Sequence, residues 1–316
     1  MDSTTYVGMF SVFGSPFNYF KDYENNSFLE PGYYLIPSFI TYTLSLKVLW
    51  VFLVFAVVGV SLKLLAITKL TDFTFLSALI YYSHYFILHE MTQIRAGIAA
   101  GILLLCIVQI QKKYFPKFLL LLIAGIFFHY SIVIFLPFYF LNSKQLNKVG
   151  YLALLIVPYV FVILNINILT VLQTFRLGVF SEKIEMYNNL TNSGILDTIK
   201  IYSVVFLAQL VLCAAFILKS DLLVKQNKYA LLIIKINAVG LASLVFFSVI
   251  PVIAIRISEL LRVVEIILIP FILYLIKPKY VGLLVVVGYA LFMISINLLY
   301  LPILKPYFGN PTNWQW

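Results

Sequence analysis

The feature that most constrains this chain is a succession of long, charge-poor apolar runs. A helix that spans a bilayer needs about 20 mostly apolar residues. Cutting the chain wherever charge and turn residues interrupt such runs leaves segments at 48–67, 73–88, 94–110, 118–141, 149–172, 201–218, 229–255, 257–276 and 280–300. The expected fold is therefore all-α and polytopic, with about nine to ten hydrophobic helices. No segment repeats another at a fixed period, and no polar stretch is long enough for a soluble domain, so one membrane domain over 1–316 is expected. The longest polar stretches, 1–31 and 173–200, read as loops, and the N-terminal segment 1–47 and the 173–200 loop are expected to face outward. Residues 1–30 lack a basic start followed by a long apolar core, so they do not read as a cleavable signal peptide.

Composition agrees, with 63% hydrophobic and 11% charged residues, where soluble domains run near a quarter charged. The net charge of +10 reads as loop charge marking the cytoplasmic side rather than as a nucleic-acid surface. Cys106 and Cys213 each sit in a charge-free run, which disfavours a disulfide framework or a Cys-based zinc site and makes them packing residues.

Lysines cluster at Lys63 and Lys69, at Lys112, Lys113 and Lys117, at Lys144 and Lys148, at Lys219, Lys225 and Lys228, and at Lys277 and Lys279. The positive-inside rule assigns all five clusters to the cytoplasm. A single crossing by 118–141 would put Lys117 and Lys144 on opposite sides, so the clusters predict a re-entrant pair with His129-Tyr130-Ser131 at its outer turn. The alternative is one tilted span kinked near Pro137. With the re-entrant topology every acidic residue except Asp72 and Asp221 faces outward, as do all the arginines, Arg95, Arg176, Arg256 and Arg262. That sidedness is informative, because the arginine fork grips phosphate through two bonds whereas lysine suffices to set orientation.

Ionisable groups inside a membrane are candidates for function, and three clusters qualify. In His89-Glu90-Met91-Thr92-Gln93-Ile94-Arg95, Arg95 opens a run of small residues, Ala96, Gly97, Ala99, Ala100 and Gly101, that permits close helix packing. A helix N-terminus beside an arginine suits an anion, although the same arginine in an ordinary loop would snorkel to headgroups. His129, within Phe127-Phe128-His129-Tyr130-Ser131, reads either as a satisfied core histidine or as a general base. In the stretch from Arg256 to Glu265, Glu259 and Glu265 each stand three residues from Arg262 and neutralise it locally, leaving Arg256 the better ligand for an external anion. The alternative there is an ion-pair ladder that holds helices together.

No nucleotide loop, zinc-protease motif or nucleophile elbow is present. Asp22-Tyr23-Glu24 offers too few carboxylates to argue a metal site. No metal and no cofactor is expected.

The order Glu30-Pro31-Gly32-Tyr33, Gln93-Ile94-Arg95-Ala96-Gly97-Ile98-Ala99, Phe128-His129-Tyr130-Ser131, then Arg256-Ile257-Ser258 followed by Leu268-Ile269-Pro270, resembles the EpsG family of Wzy-type polysaccharide polymerases over nearly the whole chain. The resemblance implies a GT-C-like glycosyltransferase architecture in the bacterial inner membrane, with a site facing the periplasm. It implies lipid-linked oligosaccharide substrates, release of undecaprenyl pyrophosphate, and O-antigen, lipopolysaccharide or related glycan as product. A chain-length regulator and a flippase of the same pathway are the partners it implies. It also implies a span ahead of Glu30 and an acidic residue within 14–19, and this sequence shows neither. Under this reading Arg95, Arg256 and Arg262 are candidates for pyrophosphate, His129 and Glu90 for the base, and Tyr33, Tyr130 and Gln93 for sugar contacts. Two other classes fit a polytopic chain: a lipid-linked oligosaccharide flippase or other transporter, which should show internal repeats and charge at mid-membrane depth, and a membrane acyltransferase, which needs a cytosolic acyl-donor site that the sequence does not display.

Overall fold

The computed structural model describes residues 2–25, 29–164 and 199–300. Arg176, most of the 173–200 loop and the end of the 149–172 segment lie outside the described residues. Every regular element among the described residues is helical. The chain divides into two compact units, Met1–Tyr139 with Ile269–Trp316, and Phe140–Leu268.

The first unit opens with α1 (Asp2–Val12), α2 (Tyr19–Asn25) and α3 (Pro31–Ser38). The expected N-terminal loop is thus largely helical, and the reason is aromatic packing. Phe10 is fully buried, its ring 5.3 Å from that of Tyr33 and 5.8 Å from that of Phe52. Rings of this size bury enough apolar surface to order a segment that is otherwise polar.

Next come α4 (Val48–Leu70), α5 (Thr74–Ile80), a wide helical turn at Tyr81–Phe86, α6 (Ile87–Met91) and α7 (Ile94–Lys112). The two long helices differ: α7 is buried almost throughout, whereas α4 leaves Leu49, Leu53 and Val57 exposed. Small residues explain the contrast. A Cβ on Gly101 would stand 2.8 Å from Leu62 Cβ, so the glycine lets α7 lie directly against α4.

The segment expected to double back does so. α8 (Phe115–Phe128) ends at His129, whose backbone is extended, and a 3-10 arm over Tyr130–Phe140 follows. The rings of Phe115 and Phe118 lie 4.9 and 5.0 Å from that of Tyr139, and Gly125 faces Ile132. The two arms therefore run antiparallel with His129 at the turn.

The second unit contains α9 (Lys148–Ile163), α10 (Val204–Leu218), α11 (Ser220–Gln226), α12 (Ala230–Phe246), α13 (Pro251–Arg262) and α14 (Glu265–Leu268). α12 forms its buried centre. Lys148 Nζ meets Asp221 at 2.5 Å, joining two positions that the charge pattern assigns to one side. The run expected to continue over 229–255 instead breaks at 247–250, and Pro251, which has no N–H to lose in a first turn, opens α13. Arg256 and Arg262 consequently share one helix.

The chain then returns to the first unit with α15 (Ile272–Leu275) and α16 (Lys279–Ser295). By length and composition, α4, α7 and the stretch from α16 to Leu299 can each cross a membrane, and the pair α10 and α11, bent by 73°, has the form of a broken span or a re-entrant loop. The protein is a multi-pass membrane protein.

Candidate active site

Three helix ends of the first unit bring Glu30, Arg95 and His129 together. Glu30 precedes Pro31 at the N-terminus of α3, where the helix dipole favours a carboxylate, and its carbonyl accepts from the Tyr33 and Tyr34 N–H groups at 3.1 and 3.2 Å. Its side chain makes no capping bond and turns instead toward the other two residues. Arg95 is the second residue of α7, an end that disfavours a cation, so a carboxylate beside it offsets a real cost. His129 terminates α8, its own N–H bonded to the Gly125 carbonyl at 2.8 Å.

The contacts are direct. Arg95 Nη1 pairs with Glu30 Oε2, and His129 Nδ1 stands 3.2 Å from Glu30 Oε1. The Arg95 guanidinium sits 4.3 Å above the Tyr33 ring centre and 5.9 Å from that of Tyr6. Gly32 allows the approach, since a Cβ there would fall 2.7 Å from the Phe127 ring and push α3 away from the end of α8. The Glu30 side chain is 5% exposed against 26% for Arg95, so the carboxylate is sealed in while the guanidinium keeps a face open. Burial raises the Glu30 pKa, but the hydrogen bond from His129 and the charge of Arg95 outweigh it and hold the carboxyl below its ordinary value.

Tyr33 is 2% exposed and lies beneath Arg95, so its ring supports the guanidinium and has no open face for the sugar expected there. Tyr130 is half-buried, and its hydroxyl donates to the Leu29 carbonyl at 3.1 Å beside the same bond from Tyr19. Gln93 is half-buried in the turn that leads into α7.

Glu90 is not in an outer loop. It is buried, with Lys63 Nζ at 2.5 Å and the Tyr81 hydroxyl at 2.9 Å from Oε1. Lys63, grouped with Lys69 as a cytoplasmic marker, is likewise fully buried inside α4. A charge sealed within a span reports a partner and not a side of the membrane.

In the second unit, Arg262 holds Glu265 through Nε at 2.9 Å and Nη2 at 3.3 Å, as the sequence spacing anticipates. Arg256 is exposed on α13 and has no ion-pair partner among the described residues. Cys106 and Cys213 are buried and unlinked.

Glu30 is the residue that sequence reasoning passed over, although it opens the Glu-Pro-Gly-Tyr motif. The available signal was an acid directly before Pro-Gly in an aromatic stretch, a pattern that places a carboxylate at a helix start.

The family model of the EpsG family matches residues 1–308. No curated protein and no solved structure matches the chain.

Proposed function

The chain belongs to the EpsG family, and from that premise we propose that it is a glycosyltransferase polymerising a bacterial surface polysaccharide such as an O-antigen. In this reading it transfers a growing glycan from undecaprenyl pyrophosphate onto the next lipid-linked repeat unit, at the outer face of the inner membrane. The observation that carries the reading is the bridge Glu30 makes between Arg95 and His129.

An acceptor sugar hydroxyl attacks the anomeric carbon of the donor. The new C–O bond forms as the bond to the pyrophosphate oxygen breaks, and the pyrophosphate leaves with the electron pair. His129 takes the hydroxyl proton. With Nδ1 held by Glu30, Nε2 is the nitrogen that acts, the arrangement in which a carboxylate orients a base. Arg95 stabilises the charge growing on the leaving group. A guanidinium carries five N–H donors and Glu30 engages it at Nη1, so donors remain for a phosphate on its exposed face. Arg256, exposed and without an ion-pair partner among the described residues, is a separate candidate for pyrophosphate, while Arg262 is held by Glu265. Tyr130 and Gln93 contact sugar.

The antiparallel arms around His129 support a re-entrant segment with the site at its outer turn. The Lys148–Asp221 pair supports only that these two positions share a side, as the lysine-inside assignment requires. Nine to ten membrane segments in a GT-C-like arrangement complete the proposal, the shorter apolar helices Phe115–Phe128, Tyr130–Phe140, Lys148–Ile163 and Ala230–Phe246 being candidates for some of them beside the long ones.

The test is deletion of the gene in a strain with intact ligase and acceptor. A polymerase acts after the unit has crossed, so its loss leaves a surface bearing single repeats. A surface with no repeat at all defeats the reading and favours a flippase.

A further inference from the structure

Lys63 and Glu90 take no part in the chemistry proposed above, yet their side chains are only 0% and 1% exposed. Removing two ions from water is poorly compensated by their mutual attraction, so stability alone is a weak reason to keep such a pair. Geometry supplies a better one. Lys63 Nζ donates both to Glu90 Oε1 at 2.5 Å and to the Gly97 carbonyl at 2.7 Å. Gly97 lies in the first turn of α7, two residues beyond Arg95. Glu90 belongs to α6, just before the turn into α7, and Tyr81 fixes its carboxylate from the other end of the wide turn. Three elements, α4, α6 and α7, are thereby tied at one point beside the arginine.

Glycine makes the tie possible. A Cβ on Gly59 would collide with Glu90 Oε2, and one on Gly97 would stand 3.0 Å from the His89 carbonyl oxygen and 3.2 Å from Glu90 Oε2. The free room is used to seat a carboxylate between α4 and α7. α4 also packs against α3, the helix that presents Glu30. The element that carries Lys63 is thus the common support of both halves of the Arg95–Glu30 contact.

We infer that Lys63 and Glu90 are positioning residues for Arg95: the buried pair, closed by Tyr81 and the Gly97 carbonyl, sets where the first turn of α7 stands and so where the guanidinium meets Glu30 and the leaving group. This rests on Arg95 being a pyrophosphate ligand. It assigns Glu90 a role through another residue in place of proton transfer.

The test uses membranes containing the full chain and lipid-linked repeat units isolated from a polymerase-deletion strain. The double variant Lys63→Met with Glu90→Gln removes both charges and keeps an acceptor for Tyr81. It should be present at normal abundance yet polymerise about 100-fold more slowly, the order of loss for a catalytic group displaced by roughly 1 Å. In an Arg95→Lys background the same pair of changes should add no further loss, because the contribution it positions is already gone. Losses that multiply, as general damage to the fold would produce, overturn the inference. Should the double variant not accumulate, Tyr81→Phe keeps both charges and should slow the reaction about fivefold, the value of one hydrogen bond, again only where Arg95 is present. An unchanged rate in either folded variant also overturns the inference. A wild-type rate for Arg95→Lys alone would instead remove the site reading on which it rests.

Discussion

Glu30 and His129 are 99 residues apart in the chain and 3.2 Å apart in space. The same carboxylate pairs with Arg95, so one buried acid joins a residue suited to moving a proton with one suited to holding phosphate. Glu30→Gln keeps the shape but not the charge. It should lower polymerisation by at least about 100-fold, the usual value of a positioned base, and should shorten the glycan ladder on gels while the protein remains in the membrane. An unaltered ladder would remove Glu30 from the site.

Arginine geometry gives the next expectation. Arg95→Lys and Arg256→Lys should each lose about 100-fold or more of polymerisation although charge is kept, because lysine cannot form two parallel bonds to phosphate. Arg262→Lys should be milder, since its partner is Glu265 on the same stretch of chain. Rates for all three variants, normalised to membrane abundance, decide it. Wild-type rates at both 95 and 256 would mean that those arginines serve topology.

The Glu30 carboxyl sets a pH dependence with a definite sign. Its folded pKa lies below the ordinary 4.5, so folding favours the ionised form. Its contribution to stability is complete above that ordinary value and is lost as pH falls through the lower folded value. The difference in melting midpoint between the wild type and Glu30→Gln should therefore be constant at neutral and mildly acidic pH and shrink below about 4.5. A gap that widened with acid would contradict the assignment.

Sidedness follows from the hairpin. A cysteine replacing Tyr130, next to the turn, should react with an impermeant thiol reagent added outside, while cysteines replacing Lys113 and Asn147 should not. The antiparallel contact of Phe115 and Phe118 with Tyr139 is the basis. Outside labelling at position 147 would restore a single crossing by 118–141.

Much of the fold was legible before any tertiary contact was known. Apolar run length specifies that the chain is helical, because a chain in hydrocarbon has few other ways to satisfy its backbone. The break at His129 followed from lysines flanking one run, and the close packing of α7 from its small residues. The error at 247–250 has a simple cause: an unbroken apolar run hides a turn until the proline that follows it is taken as a helix start.

The partners of the charges were not legible, and that is where sequence and structure divide. By itself the sequence determined that this is a helical membrane protein of the EpsG type, with Arg95 at a helix start and His129 at a turn. Only the tertiary structure decided that Arg95 pairs with Glu30 and not with nearby Glu90, and that Glu90 pairs with Lys63 in a different helix. The physical reason is that membrane helices are apolar on nearly all sides, so periodicity does not show which face meets which. Pairing is settled by where glycines let helices approach, at Gly32, Gly59 and Gly97, and such approaches join residues 27 to 99 positions apart that no local pattern connects.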